Sequence, residues 1–598
     1  MEDGDDVNEI SKGSPVINVL KEEWKNLYGM KKTFIWYSTF FVIAGIISLL
    51  NPLVIGLIFN SIQENITSQA ELRKLIMLIS LLFVITLSQE IFHASGRIME
   101  QKTGFLVGRN YNANKIKKIL DLPMTWHKDH HSGDTIDKLK KGTGSITNFS
   151  QHFTFSIVYA LINLLGSVII LIFFDVTAAI TALIFSSLTI YAIILFDKRL
   201  DKYYTKINKL ENKASASIFD YLSNIITVIT LRLKKTVRKE IDRKIMASYP
   251  YEKKSYLISE VKWSFAGIMI SLMTVILLSL RAYNDYHANG IILIGTLYIL
   301  YGYLNTIGTT FFNIANIYGR IVNYDAELRN AKEIDSAYEN FEQQKGGKLP
   351  LDWKEIELKG LDFTYNVAGK RNHLEDLDIK FKRGEKIALV GESGSGKSTV
   401  LALMRGLYEP AKGKAYCDGK LIGKGTRGFR ENVTLIPQDP EIFNNTIKYN
   451  VTMDIPYKKD EVTEAIRLAQ FEKVIQRLEK GLNTNVLEKG VSLSGGEKQR
   501  LALARGLLAA KDSDIVLLDE PTSSVDNLNE LKIHEEVFKK FKNKTIISSI
   551  HRLHLLEKFD YIYFFDRGKI ITNGTLKELL QNPSFKRIWD KYNTSSKK

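Results

Sequence analysis

Cysteine is almost absent from this chain of 598 residues. Cys417 is the only one, which excludes an intrachain disulfide and any Cys-based metal cluster. Proline- and glycine-rich tracts are missing from the two long basic segments, Arg97–Lys141 and Lys198–Lys254, so neither is a flexible linker. The chain opens on acidic residues (Met1–Asp6) and its first long apolar run begins only near Thr33, so no cleaved leader is expected. Nor is there a uniformly soluble composition, although 45% hydrophobic residues and a mean hydropathy of −0.09 suggest one. Those averages mix an apolar first half with a polar second half, and the length suits two large domains.

What is present in the first half is a series of six apolar stretches: 33–59, 75–92, 153–174, 177–196, 263–280 and 291–312. Each is long enough, or nearly so, to cross a hydrocarbon core that takes roughly 20 helical residues. Only Asp175 and Val176 separate the third from the fourth, which requires a tight hairpin. The formal charge of +16 would suit a nucleic-acid partner, but its distribution argues for topology instead. Ten basic residues lie in Arg97–Lys141 and fifteen in Lys198–Lys254, whereas the opposite side carries Arg73, Lys74 and Arg281. The positive-inside rule places the two basic segments and both termini in the cytoplasm. Heptad-like apolar spacing within them (Ile207, Leu210, Ile225, Ile229) suggests helices continuing well beyond the membrane. Ahead of the first span, Val16–Tyr28 reads as an interfacial amphipathic helix. The charged stretch near Asp335–Leu349, with Gly346-Gly347-Lys348, reads as a linker.

The second half changes character. Strand-like runs (Lys386–Val390, Val433–Ile436, Ile515–Leu518) alternate with helical ones, the pattern of an α/β domain. Between Val390 and a helix opening at Lys397 stands Gly391-Glu-Ser-Gly-Ser-Gly-Lys-Ser-Thr399. Such a loop turns backbone N–H groups toward a β-phosphate, with Gly391, Ser393, Gly394, Ser395, Gly396 and Thr399 forming the cradle. Lys397 is placed to reach the β- and γ-phosphates, and the Ser398 hydroxyl to ligate Mg²⁺. Ile515-Val-Leu-Leu-Asp519 is a buried strand ending in a carboxylate suited to hold Mg²⁺ through water, and Glu520 beside it occupies a general-base position. About a hundred residues after the loop comes Leu493-Ser494-Gly495-Gly496-Glu497.

On these motifs the chain resembles an ABC transporter over its full length, specifically an exporter-type (type IV) half-transporter. The resemblance implies a six-helix transmembrane bundle with long cytoplasmic helical extensions, followed by an α/β P-loop ATPase domain with a helical subdomain. The expected boundaries are 1–32 for the cytoplasmic N-terminus and elbow helix, 33–335 for the transmembrane domain, 336–350 for the linker and 351–598 for the nucleotide-binding domain. It further implies that Tyr365 stacks on adenine. Gln438 would contact Mg²⁺ and the attacking water, and Ser494, Gly495 and Gly496 would bind the ATP held by a partner chain. Asp526 would belong to the D-loop, and His551 would be the switch histidine.

The implied function is ATP-driven export or flipping by alternating access in a homodimer, with ATP and Mg²⁺ as ligands and hydrolysis at two composite sites. The partners are then a second copy, membrane lipids and a substrate of unidentified class, with no nucleic acid. The location is the cell (inner or plasma) membrane, with the ATPase domain in the cytoplasm. A heterodimer subunit, or an ATP-gated channel or regulator on the same fold, is the alternative.

The sequence departs from the commonest family pattern at Glu497 (often Gln), Ser523-Ser-Val-Asp526, Pro521, and Asn445-Thr-Ile-Lys-Tyr449, which lacks the usual acidic residue. Glu488 matches the acidic X-loop position. Met124–Gly133 and the stretch around Asp220–Ile226 resemble coupling helices. His127, His130 and His131 suit a polar helix end better than a metal site. Within the spans, Glu90 is expected either at a cavity or paired across a helix interface, and Tyr298, Tyr301 and Tyr303 are expected to divide between cavity and packing roles. No N-terminal peptidase domain and no large extracellular domain are apparent.

Overall fold

The computed structural model describes residues 14–64, 66–130, 132–342, 348–365, 373–423, 425–439, 441–486 and 493–596. Three expectations, on His131, the linker glycines and Glu488, fall outside them. The described chain forms two compact units. One comprises the residues up to Leu122 together with Asp129–Glu339; the other comprises Pro123–Lys128 and the chain from Asn340 onward.

The first unit is entirely helical: α1 (Pro15–Asn26), α2 (Lys31–Ser48), α3 (Leu50–Gln63), α4 (Gln69–Asp121), α5 (Met124–Asp129, whose first residues belong to the second unit), α6 (Ser132–Phe174), α7 (Val176–Ser223), α8 (Ile225–Thr230), α9 (Lys234–Met246), α10 (Tyr249–Asn289) and α11 (Ile294–Glu342). At 1.5 Å per residue, the 53 residues of α4 span about 80 Å, far more than a bilayer core. The apolar stretches are therefore the membrane parts of longer helices, as the basic segments predict. Among the described residues five helical segments are long and apolar enough to cross a membrane, and the sixth apolar stretch opens the 49-residue α11.

The first span is broken, which its hydropathy does not foretell. Pro52 lacks an N–H, and α2 gives way to α3 at Leu49. The Leu49 carbonyl accepts from the Tyr303 hydroxyl of α11 at 2.7 Å. Tyr303 is thus a packing residue, while Tyr298 meets Phe59 edge-on. The hairpin between α6 and α7 turns on Asp175 alone, whose Oδ1 accepts from Ala178 N at 3.0 Å and so caps α7. Distal charges pair between helices: Lys115 and Lys118 of α4 with Asp335 of α11 (2.7 and 2.8 Å), and Lys262 of α10 with Asp197 of α7 (2.9 Å). Glu90 is exposed, with His93 3.6 Å away on the same helix.

In the second unit β1 (Glu355–Phe363), β2 (Leu374–Lys382), β4 (Lys412–Cys417) and β5 (Lys420–Leu421) form an antiparallel sheet in the order β2-β1-β4-β5. The main sheet runs β12-β11-β3-β10-β9-β6, from β3 (Lys386–Gly391), β6 (Val433–Ile436), β9 (Ile515–Asp519), β10 (Thr545–Ile550), β11 (Tyr561–Asp566) and β12 (Lys569–Gly574). All neighbours pair in parallel except β11 with β12. The central strands β3, β9 and β10 are buried on both faces, and their continuous apolar runs reflect that. Ile515 and Leu517 of β9 face one core with Ile387 and Leu389 of β3, whereas Val516 and Leu518 face another.

Helices α12 (Lys397–Met404), α13 (Ile447–Thr452), α14 (Lys459–Leu468), α15 (Glu472–Arg477), α16 (Gly495–Ala509), α17 (Asn527–Lys540), α18 (Leu576–Leu579) and α19 (Pro583–Ser596) belong to this unit, with a short β7–β8 pair (Asn445–Thr446, Asn485–Val486).

Candidate nucleotide site

The parallel register dictates which residues meet. Val390 of β3 lies opposite Ile550 of β10, Ser549 of β10 opposite Asp519 of β9, and Leu518 of β9 opposite Ile436 of β6. The residues that follow these partners are the phosphate loop, His551, Glu520 and Gln438. Four segments separated by up to 160 positions therefore deliver their polar side chains to the carboxyl edge of one sheet, where α/β folds place their ligands.

The loop leaves β3 and enters α12 through Gly396, whose φ is +108°. A Cβ there would sit 2.5 Å from Leu374 Cδ2, so the position demands glycine. Lys397 is buried, and its Nζ donates to the Gly391 and Glu392 carbonyls at 2.9 and 3.0 Å. Burial lowers its proton affinity, and the carboxylates of Glu520 and Asp519 pull it back up. Ser398 Oγ donates to Asp519 Oδ1 at 3.0 Å, and Ser549 Oγ donates to the same oxygen at 2.7 Å.

Glu520 has a φ of +44°, a left-handed conformation that costs a non-glycine residue free energy and clusters at functional positions. Its backbone N–H donates to Ser549 Oγ at 3.0 Å. Its carboxylate accepts from Gln438 Nε2 at 2.8 Å on one oxygen and pairs with His551 Nε2 on the other. Ser549 thus holds both acidic residues in register. The motif reading missed it; the signal was a pair of serines at the end of an otherwise apolar strand.

Tyr365 projects from the antiparallel sheet, half exposed, with its hydroxyl 3.1 Å from Thr399 Oγ1. Lys128 Nζ stands 4.7 Å from its ring centre and 4.8 Å from that of Tyr408. Neither Lys128 nor Tyr408 was singled out from the sequence, since a cation over two rings joins positions far apart in the chain.

Ser494 is the N-cap of α16. Its backbone N–H donates to Glu497 Oε2 at 2.8 Å while Glu497 N donates to Ser494 Oγ at 3.4 Å, a capping box. Glu497 also pairs with Arg477. Burial raises its proton affinity, but the Ser494 N–H and the Arg477 guanidinium outweigh it and keep the carboxyl below its ordinary range. The Gln-to-Glu departure is therefore structurally supported.

Gly496 packs so tightly on the D-loop that a Cβ would lie 2.6 Å from Ser524 O, and Gly495 beside it is unobstructed. Gln499, one turn on, donates to Ser523 Oγ at 2.7 Å and accepts from Ser524 N at 2.7 Å, joining the signature helix to the D-loop. Asp526 caps α17 through Asn529 N at 3.0 Å. Among the described residues no group of three His, Cys, Asp or Glu side chains could hold a metal ion. Ser398 and Asp519 do present the hard oxygen atoms that suit Mg²⁺.

Two family models match this chain: the ABC transporter transmembrane region over residues 34–311 and the ABC transporter model over 374–523, which implies ATP binding. Among curated relatives, the ABC multidrug transporter atrD of Emericella nidulans is 37% identical over 46% of this chain and 20% of its own length. The mitochondrial iron-sulfur clusters transporter atm1 of Neurospora crassa is 28% identical over 84% of this chain and 70% of its own. The chain thus spans about a fifth of the multidrug transporter's length.

The structure of a bacterial Atm1-family ABC exporter with ATP bound superposes with a TM-score of 0.84, covering 94% of this chain and 99% of that one at 22% identity, a likeness of fold. With a transmembrane region and a cassette fused in that order, the chain belongs to the ABC transporter family.

Proposed function

We propose that two copies of this chain form an ATP-driven exporter of a cellular membrane, with both termini and the cassettes in the cytoplasm. Each cassette binds ATP on Lys397 and the loop Gly391–Thr399, with Tyr365 against the adenine. Glu520, held by Ser549, Gln438 and His551, acts as general base toward the attacking water, and His551 contacts the γ-phosphate. Ser398, Gln438 and, through water, Asp519 would hold Mg²⁺, which would supply charge neutralisation at the phosphates.

The observation that carries the two-copy reading is the signature. The hydrogen-bond partners of Ser494 among the described residues are local to α16, and Gly495 faces open space. A signature organised in this way leaves the N-terminus of α16 open and suits phosphates bound by a second chain. The exposed side chains of Ile225, Ile226 and Ile229 on α8 support a second copy as well, because three apolar residues outside the spans favour a protein surface over water.

A cavity of about 520 Å³ lies between α6 and α11, lined by Tyr159, Asn163, Thr306, Thr310, Asn313, Asn316 and Arg320. Its lining offers amides, hydroxyls and one guanidinium but no carboxylate, which favours a substrate rich in hydrogen-bond acceptors or carrying negative charge.

The test is a cross-link. Ser395 is buried, so the better loop partner for Ser494 is the exposed Ser393. Cysteines at Ser393 and Ser494, with Cys417 replaced and Glu520→Gln retaining ATP, should join two chains of a preparation containing this chain alone. Failure to cross-link with either a disulfide or a short bifunctional reagent would overturn the homodimer.

A further inference from the structure

Helix α1 is amphipathic, and the face it turns inward reads Val19, Glu23, Asn26, Leu27. A glutamate in the middle of an apolar stripe needs an explanation, and Glu23 is only 1% exposed. Around it the helices bring together a set of polar groups with little to bond. Glu23 Oε1, Tyr37 OH of α2, and Ser150 Oγ and Thr154 Oγ1 of α6 are all buried without a hydrogen-bond partner. These groups sense one another: Ser150 lies toward Glu23, Thr154 toward Tyr37, and the charges of Glu23 and Glu100 both reach Tyr37.

The charge balance decides what fills the site. Glu100 of α4 is fully buried as well: its Oε2 pairs with Arg97 and its Oε1 accepts from Phe155 N at 2.9 Å, yet burial outweighs both partners and lifts its carboxyl to about 7 too. Arg97 is committed further, to Gln151 O at 2.8 Å and to His152 Nδ1 at 3.2 Å. On α1 itself Glu22 bonds Asn26, and on α11 Arg320 bears on His152 rather than on Glu23. Glu23 therefore has no cation of its own. An ionised carboxylate in such a place costs far more than a neutral one, and the group takes up a proton instead.

We propose that Glu23 is a buried proton-binding site, and that the proton it holds keeps α1 seated against α2, α4 and α6. The neutral carboxyl carries an O–H that the orphaned hydroxyl oxygens can accept. When the proton leaves for bulk water, a bare carboxylate faces Glu100 across an apolar junction, and α1 loosens. Burial, reinforced by the Glu100 charge and opposed by Ser150, raises the carboxyl to about 7, within the physiological range.

Hydrogen exchange of the α1 peptide in the full-length protein, corrected for intrinsic rates, tests this. Protection should fall between pH 6 and pH 8.5 in the native protein. Glu23→Gln should be protected at both values, without a step. Glu100→Gln, which removes the neighbouring negative charge and releases Arg97, should move the step toward acid. Infrared spectra at pH 6 should contain protonated-carboxyl absorption that Glu23→Gln diminishes and that the double variant Glu23→Gln/Glu100→Gln abolishes. Replacing sodium and potassium by choline at fixed pH should change nothing. A cation dependence would mean that a metal ion occupies the site instead. A step that survives Glu23→Gln, or no step in the native protein, would overturn the proposal.

Discussion

The two halves of this chain put their apolar residues to opposite uses. In the cassette, β3, β9 and β10 are buried nearly end to end, and their side chains divide by alternation between separate cores. In the membrane half, only 11% of the most apolar stretch of α4 is buried inside the protein, and Phe83, Ile91 and Ile79 are exposed. Water drives the first arrangement; lipid, which is as apolar as leucine, removes that drive from the second. Polar groups follow suit. The cassette gathers them at one sheet edge, while the membrane half spreads them in small separate groups, around Asn163, Glu100 and Lys115, along helix interfaces. The lesson is that chemistry concentrates where backbone ends converge, and helix-to-helix specificity arises where isolated polar contacts are buried.

The largest effect should separate the halves by activity. Glu520→Gln should lower ATP turnover by about 10²–10⁴-fold without weakening ATP binding, as measured by ATPase assay and nucleotide titration. Wild-type turnover would remove the general base from this site.

Next in size is a pH effect of opposite sign to that proposed for α1. His534 of α17 is buried between Phe538 and Phe559, and burial, aided by the nearby His554, depresses its imidazole to about 4. The unfolded chain protonates this histidine near its ordinary value of about 6.5. Below that pH the unfolded state binds the additional proton, and cassette stability falls as pH drops from about 6.5 to about 4, by about 3 kcal/mol in total. Thermal unfolding of the full-length protein as a function of pH should follow that slope, and His534→Leu should flatten it. An unchanged slope would assign the acid sensitivity elsewhere.

A smaller effect is expected at Ser549. Its hydroxyl serves Asp519 and the Glu520 N–H together, so Ser549→Ala should cost roughly 1–3 kcal/mol of site organisation, read as a lower kcat with ATP affinity largely kept. The smallest belongs to the membrane half: Tyr303→Phe removes one buried bond to the Leu49 carbonyl, and the thermal midpoint should drop by an amount corresponding to about 1 kcal/mol. No change would mean that the helix break at Leu49 needs no external donor.

Much of this protein was legible before folding. Gly391–Thr399, Asp519-Glu520 and Leu493–Glu497 are contiguous motifs whose chemistry requires fixed neighbours, and five of the apolar stretches lie within helical segments long and apolar enough to cross a membrane. The tight hairpin at Asp175-Val176 was equally plain, because two long apolar runs left no other place to turn, and the structure narrows it to Asp175. The tertiary structure alone decided the rest. Ser549 matters because β10 pairs in register with β9, Gln499 because α16 presses on the D-loop, and Lys128 because its segment stands over Tyr365 and Tyr408. A second short helix falls at Ile225–Thr230 and shares only Ile225 and Ile226 with Asp220–Ile226, the stretch the sequence suggested. Glu23 looked like one more charge on a surface helix and instead lies buried beside Glu100 and Tyr37. Local patterns carry spacing along the chain, whereas burial and charge balance depend on which distant helices close over a side chain, and only the packed fold sets that.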